Sequence, residues 1–398
     1  MKENHELFIL LKKILAADFL SKILQVILTL LIIRIFSKDN YANYSVILAW
    51  ASIIIGLTSG FNVSLLRITA SGKNKDNENI YLLLFTSLFL VAVIIGSLVI
   101  NHFYGINASL LVILTSSLGG IQLLAAYYQA QEKIKKYALI NSLRSLIPLL
   151  TVFFLMVASL SVSYEDVIYL FLAAYISSIS IYIANEKKPF NLNLINLKNI
   201  RSIFRENLLL LAYYSIIAVY TQYDLIFLSQ EFSNDDISNF AVLQRLYLLT
   251  IILLPSVVST LRIYTAKDTT SENLRALIVT VLKKSIFLGF FICLLIVFLY
   301  PMSIFIVGEQ YSDAVEFLPL FAFATFFSYV GCIFTPIFIS KELYKQLIIS
   351  GIASVSFKLL IYDVFASDLN SFIWCFIFSV VFYNIFGLSL MYTSQQSK

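Results

Sequence analysis

Long apolar runs separated by short polar segments repeat along the whole chain. Each run holds roughly 18 or more residues, and a helix of about 20 apolar residues crosses a hydrocarbon core of about 30 Å. The pattern therefore predicts an all-α polytopic membrane protein with about twelve transmembrane helices. The predicted spans are residues 10–33, 42–66, 80–100, 107–129, 137–159, 165–184, 207–229, 238–261, 281–300, 315–339, 345–365 and 370–393.

Composition supports this fold class. Hydrophobic residues make up 60% of the 398 residues and charged residues only 13%, whereas soluble domains carry about 25% charged residues. The mean hydropathy is +0.87. Because the predicted spans leave only short loops and tails, we expect no separate soluble domain.

Lysine and arginine residues are divided unevenly between the two sides that twelve spans create. Of the 28 basic residues, 22 fall on the side of the amino terminus, and only Arg34 and Lys38 fall in loops on the other side. Loops rich in Lys and Arg remain in the cytoplasm. The sequence therefore predicts an even number of spans, with both termini in the cytoplasm.

The two halves of the chain carry a similar segment. The first half runs RIFSKDNYANYSVILAW and ends LLRITASGK, while the second runs LIFLSQEFSNDDISNFAVLQRL and ends TLRIYTAKD. The shared Leu-Arg-Ile favours an internal duplication, as in transporters built from repeats. We therefore predict two pseudo-symmetric six-helix lobes around a central cavity, at 1–185 and 206–398, joined by a basic cytoplasmic linker at 186–205.

Several predicted spans carry polar residues on one helical face. In the first span Asp18, Lys22 and Gln25 follow one another at steps of four and three, which places them on one side of a helix. Such side chains would lack partners in lipid, so they should face the interior of the bundle or a wet cavity. The residues that we single out are Asp18, Lys22, Gln25, Arg144, Gln222, Asp224, Arg245 and Lys358.

The charges inside these spans are unbalanced, with four cations against the two anions Asp18 and Asp224. Pairing alone would tend toward balance, so the excess suggests an anionic cargo. Structural roles remain open beside this interpretation. Asp18 and Lys22 could neutralise each other, Asp224 could anchor Arg245 or Lys358 across the bundle, and Arg245 could extend to the membrane interface.

The sequence offers little for catalysis or for a metal centre. It contains no nucleotide-binding Gly-x-x-x-x-Gly-Lys-Ser/Thr loop, no Gly-x-Gly-x-x-Gly and no His-Glu-x-x-His. Three scattered cysteines (Cys293, Cys332, Cys375) and two histidines (His5, His102) form no metal-binding pattern. We therefore expect a protein that is not an enzyme and that binds no cofactor, metal or nucleic acid.

Several loose patterns resemble one family. They are IIRIFSKDNYANYSV, TSGFNVSLLRITA, YYQAQEKIKKYALINSLRSLIPLL, QYDLIFLSQEFSNDDISNFAVLQRLYLL and VGEQYSDAVEFLPLFAF. Over nearly its whole length the chain resembles the O-antigen, or polysaccharide, flippases of the multidrug/oligosaccharidyl-lipid/polysaccharide exporter superfamily. The patterns are typical of the family rather than of one substrate.

The resemblance implies a two-lobed transporter of the bacterial inner membrane that works by alternating access. Its cargo would be an undecaprenyl-diphosphate-linked oligosaccharide, flipped from the cytoplasmic to the periplasmic leaflet. Further partners would be membrane lipids, a coupling proton or sodium ion, a polysaccharide polymerase and a chain-length regulator.

On this interpretation two groups of residues carry the function. The predicted substrate-binding residues are Lys22, Arg144, Arg245, Lys358, Gln25 and Gln222, and the predicted ion-coupling residues are Asp224 and Asp18. A diphosphate needs fixed positive charge along its path. A drug:cation antiporter of the same superfamily is the first alternative, although its cationic cargo would favour acidic cavity residues. A membrane polysaccharide polymerase is the second, although it would need a large periplasmic loop.

Overall fold

The computed structural model describes residues 2–70, 78–131, 133–185, 197–252, 254, 258 and 271–396. Over these residues the chain is almost entirely α-helical and forms no strand. The prediction of an all-α protein with many apolar helices is confirmed. The α-helices are α1 (Lys2–Ile35), α2 (Lys38–Ala70), α3 (Glu78–Ala130), α4 (Ile134–Val157), α5 (Tyr164–Asn185), α6 (Leu197–Glu231), α7 (Asn234–Thr250), α8 (Ser271–Val307), α9 (Ser312–Glu316), α10 (Phe321–Gly331), α11 (Phe334–Ser340), α12 (Tyr344–Phe365) and α13 (Leu369–Gln396).

Nine stretches of the described residues are long and apolar enough to cross a membrane. One of them, Thr86–Gln129, has 44 residues, about twice what a single crossing requires. It contains the two predicted spans 80–100 and 107–129 almost entirely. The predicted span 238–261 runs from α7 into residues outside the described part of the chain. The count of twelve spans therefore stays a prediction.

Gly105 divides α3 into two membrane-length segments. Its backbone has φ 83° and ψ 173°, a conformation that glycine adopts readily because it has no Cβ. Across this break the Ser109 hydroxyl donates a hydrogen bond of 2.9 Å to the carbonyl of Ser97. Ile100 and Leu111 also share one buried apolar cluster. The chain therefore turns back on itself at Gly105, as two successive spans must.

Paired Ser and Asp side chains begin three of the helices. The motifs are Ser163-x-x-Asp166 at α5, Ser233-x-x-Asp236 at α7 and Asp368-x-x-Ser371 at α13. In each motif the first side chain accepts a hydrogen bond from a backbone N–H that the first helical turn leaves unpaired. All three motifs fall in loops that are predicted from the sequence to lie on the periplasmic side.

The Asp368 cap is expected to depend on pH. The backbone N–H and the hydroxyl of Ser371 both donate to the Asp368 carboxylate, at 2.7 and 2.9 Å. These bonds favour the ionised form and lower the pKa of Asp368. At pH values above the pKa that Asp368 has in the unfolded chain, the cap therefore contributes fully to the stability of the fold. This contribution is lost as the pH falls through the lower pKa that Asp368 has in the folded protein.

The chain forms two compact units, Met1–Ala218 and Val219–Lys398. The first has a buried core that includes Phe61, Ile121 and Tyr128, and the second is rich in ring contacts such as that between Phe240 and Phe372, whose centroids are 4.9 Å apart. Helix α6 is continuous across the boundary between the units. The predicted lobes, linker and central cavity stay predictions, and residues 186–196 of the linker lie outside the described residues.

Within the first unit, α2 and the first part of α6 pack closely against each other at Gly56. A methyl group added to Gly56 would meet the side chain of Ala218. Nearby, the Ser64 hydroxyl donates to the side-chain oxygen of Asn207, so that α2 and α6 also share a buried hydrogen bond.

Gly56→Ala is expected to lower the free energy of unfolding by about 1–3 kcal/mol, because overpacking forces side chains and backbone apart. Thermal unfolding in detergent measures the change. Asn43→Gln, which adds one carbon at an exposed position of α2, is the control and should change little. Equal stability of Gly56→Ala and the wild type would contradict this close packing.

Candidate functional site

A buried ion pair joins α6 and α12 inside the second unit. Asp224 is 0% exposed and Lys358 is 2% exposed. The Lys358 ammonium lies 2.7 Å from Oδ1 of Asp224. Of the two partners that the sequence left open for Asp224, the structure therefore assigns Lys358 and not Arg245.

Two tyrosines also belong to this site, because each lies one helical turn from one of the two charged residues. Tyr220 precedes Asp224 by four positions and Tyr362 follows Lys358 by four, so each shares a helical face with its neighbour. The Lys358 ammonium donates a hydrogen bond of 2.6 Å to the backbone carbonyl of Tyr220. The Tyr362 hydroxyl donates to Oδ1 of Asp224. A carboxylate oxygen and a carbonyl oxygen thus contact the ammonium, and the Tyr362 hydroxyl binds the same carboxylate oxygen.

Aromatic rings close the remaining sides of the ammonium. It lies 4.2 Å from the ring centroid of Tyr220 and 5.6 Å from that of Phe376, within the range of cation–π attraction. The Tyr220 hydroxyl donates to the carbonyl of Ser379 at 2.9 Å, and its ring stacks on Tyr383. Because α13 supplies both of these partners, the Tyr220 ring is fixed in place.

The carboxylate of Asp224 is only half satisfied. Oδ1 receives both the ammonium and the Tyr362 hydroxyl, whereas Oδ2 is buried without a hydrogen-bond partner among the described residues. An unpaired buried acceptor of this kind costs about 1–3 kcal/mol. Oδ2 is therefore a position at which a proton or a cation would be stabilised.

In the first unit, a polar contact joins α1 and α4. The guanidinium of Arg144 donates to the side-chain oxygen of Gln25 at 2.8 Å, and the Ser21 hydroxyl donates to the carbonyl of Asn141 at 3.0 Å. Arg144 forms no ion pair with any side chain that the structure describes, and these do not include the side chain of Asp18. A half-buried positive charge is thus held near the middle of α4 by a neutral amide.

The other predicted residues take separate places. Lys22 lies half-buried on α1, next to Ser21, and takes part in an interaction of its own. Arg245 on α7 and Gln222 on α6 are half-buried and make no polar contact with the part of the chain that the structure describes. Asp18 belongs to α1, but its side chain lies outside the described residues. The pairing of Asp18 with Lys22 stays a prediction.

Sequence reasoning missed Tyr362 and the ring of Phe376 as parts of the site. Tyr362 carried a usable signal, because a tyrosine four residues after an intramembrane lysine lies on the same helical face. Phe376 carried none, because the chain has 34 phenylalanines and nothing in the pattern separates this one.

Solved structures with a similar fold include MATE transporters. One is described as the MATE multidrug transporter DinF-BH. It matches with a TM-score of 0.71 and 13% identity, covering 96% of this chain and 95% of that one. Another is MATE in complex with MaD5, with a TM-score of 0.70, 12% identity, and 97% and 94% covered. A third is an outward-facing MATE family transporter of the MOP superfamily, with a TM-score of 0.68, 11% identity, and 97% and 96% covered.

At these identities the likeness shows the fold alone, and this fold agrees with a multi-pass membrane protein. Among curated proteins no match to the chain was found. A family model described as "Polysaccharide biosynthesis protein" matches residues 13–263, which is more than half of the chain. The chain therefore belongs to the polysaccharide biosynthesis protein family.

Proposed function

We propose that the protein is a flippase of the bacterial inner membrane, which moves an undecaprenyl-diphosphate-linked oligosaccharide from the cytoplasmic to the periplasmic leaflet by alternating access. Membership of the polysaccharide biosynthesis protein family supports the class of cargo. The MATE-like fold supports a transporter. A polysaccharide polymerase and a chain-length regulator are the partners that would use the flipped cargo.

The observation that carries this proposal is the positive charge of Arg144. Its guanidinium is held by the Gln25 amide and by no carboxylate among the side chains that the structure describes. A cation in the middle of a membrane helix is costly, and such residues mark the path of a substrate or an ion. A guanidinium also matches phosphate oxygens with two parallel hydrogen bonds. A diphosphate is therefore a suitable counter-ion.

The remaining predicted residues divide between diphosphate and sugar. Arg245 and Lys22 add positive charge, whereas Gln25 and Gln222 offer amide groups that can hydrogen-bond to sugar hydroxyls. Lys358 is different, because its ammonium is already bonded to Asp224. It would meet an anion only in a state in which that pair opens.

Asp224 is the proposed coupling residue, with Asp18 as the second candidate. In the state described here Asp224 is neutralised by Lys358. If the diphosphate draws Lys358 away in another state, Asp224 would take up a cation from solution, and would release it when the pair forms again. Cargo and Asp224 would then compete for Lys358, and the coupling ion would bind Asp224 while the cargo holds this lysine.

Multidrug antiport is the second candidate function, because the structural neighbours include MATE multidrug transporters. A cationic drug would need a buried carboxylate that is free to receive it. Asp224 is a buried carboxylate, but Lys358 occupies one of its oxygens. We therefore rank antiport below the flippase.

Reconstitution tests the two functions against each other. Proteoliposomes loaded with lipid-linked oligosaccharide should expose the sugar on the second leaflet, where an added glycosidase can cleave it. The same vesicles should not accumulate a cationic dye when an ion gradient is imposed. Dye uptake without sugar exposure would favour the antiporter.

Arg144→Ala is expected to lower the rate of sugar exposure at least about tenfold, because a charge-assisted hydrogen bond contributes about 1.5–3 kcal/mol. Arg144→Lys should retain part of the rate, since it keeps the charge. Lys135→Ala removes a charge from an exposed position of the same helix and is the control. Full activity of Arg144→Ala would make this guanidinium dispensable.

The proposed orientation has its own test. Reporter fusions after Asp236 and after Glu309 should report the periplasm, and fusions after Lys198 and after Lys345 the cytoplasm. The reason is the excess of basic residues on the side of the termini. One reversed signal among the four would overturn the orientation.

A further inference from the structure

We propose that Lys358 acts as a tethered cation in a monovalent-cation site, and that this lysine is what keeps Na⁺ out of the site. Its ammonium occupies a position enclosed by Oδ1 of Asp224 at 2.7 Å and the carbonyl oxygen of Tyr220 at 2.6 Å. Carboxylate and carbonyl oxygens are the ligands that hard cations prefer. Backbone carbonyls also coordinate Na⁺ at intramembrane sites of transporters.

The surroundings of the ammonium are built for a cation rather than for lysine in particular. The ring centroid of Tyr220 lies 4.2 Å away, and an aromatic face attracts any cation. The second carboxylate oxygen, Oδ2, is buried without a hydrogen-bond partner among the described residues. The site therefore offers one more oxygen than Lys358 uses.

Charge balance permits only one occupant. Asp224 brings one negative charge, and both it and Lys358 are almost completely buried. Desolvation makes a second positive charge at this place costly. Lys358 and Na⁺ therefore exclude each other, so that the wild-type site holds no Na⁺ while the pair is formed. Lys358 is thus a residue that determines ion specificity.

Removing the tethered charge should create the sodium site. In Lys358→Met the side chain keeps much of its length but loses its charge, so a free cation can take the position of the ammonium. This inference rests on the geometry of the ion pair, and it holds whether the cargo is a lipid-linked oligosaccharide or a drug.

The test compares thermal unfolding of the purified full-length protein in NaCl with that in choline chloride at equal ionic strength, because the methyl groups of choline keep its charge from approaching oxygen atoms as closely as Na⁺ does. Lys358→Met should unfold at a temperature higher by on the order of 5 °C in NaCl, since a ligand that binds only the folded state stabilises it. The wild type should show no difference between the two salts. Binding of radioactive Na⁺ to detergent-solubilised Lys358→Met gives a second, direct readout.

Two controls assign the effect to this site. Asp224→Asn/Lys358→Met removes the carboxylate as well and should show no sodium effect. Lys345→Met removes an exposed lysine of the same helix and should behave as the wild type does. A Lys358→Met protein that is recovered only in NaCl would also support the site. The proposal is overturned if Lys358→Met unfolds equally in both salts, if it is recovered in neither, or if the wild type already binds Na⁺.

Discussion

Lys358→Met is expected to lower the free energy of unfolding by about 3–5 kcal/mol in sodium-free buffer, because it leaves Asp224 as a buried and unpaired charge. Asp224 is 0% exposed, so water cannot replace the lost ammonium. Tyr362 still donates to Oδ1, but a single neutral donor does not balance a charge. Denaturation in detergent measures the loss.

A double-mutant cycle separates pairing from packing. Asp224→Asn keeps an acceptor for Tyr362, and Asp224→Asn/Lys358→Met removes both charges together. The double variant should lose less stability than Lys358→Met alone, because no buried charge remains without a partner. If the losses of unfolding free energy in the two single variants add up to the loss in the double variant, then the two charges do not stabilise each other.

Asp224→Asn is expected to abolish ion-driven transport while the protein still folds. Asparagine has the shape of aspartate and can still accept a hydrogen bond from Lys358, but it cannot bind and release a proton or neutralise a cation. Ion flux in proteoliposomes, measured with and without the lipid-linked substrate, should fall to the level of protein-free vesicles.

Asp363→Asn is the matched control, because it removes a carboxylate from the exposed end of α12. It should transport as the wild type does. Unchanged coupling in Asp224→Asn would move the coupling role to Asp18, or would indicate a carrier that is driven by the gradient of its substrate alone.

The two buried charges show how far sequence reasoning reaches. Hydropathy alone places Asp224 and Lys358 inside spans, and the cost of isolated charge in lipid requires each to find a partner. The sequence could not choose between Lys358 and Arg245 as the partner of Asp224. That choice depends on how α7 and α12 are rotated about their axes, and rotation is set by side-chain packing that periodicity does not record.

The break within α3 could be predicted from the sequence, whereas the hydrogen bonding of Asp224 could not. A loop was predicted between 100 and 107, and the structure places the break at Gly105, because polar residues and a glycine interrupt the apolar run there. The sequence could not predict that Oδ2 of Asp224 is buried without a hydrogen-bond partner among the described residues. It depends on the Tyr362 hydroxyl and the ammonium both binding Oδ1, which a pattern of residue types cannot specify.

Helix α6 has a consequence for synthesis of the protein. The first unit extends to Ala218 and therefore includes the first part of this helix. Asn207, whose side chain bonds to Ser64, lies beyond the basic segment that follows α5. Because chains fold from the amino terminus as they leave the ribosome, the first unit cannot be complete when its first five helices have emerged. Its folding must wait until α6 enters the membrane, and this same helix then brings Tyr220 and Asp224 to the site before α12 has been made.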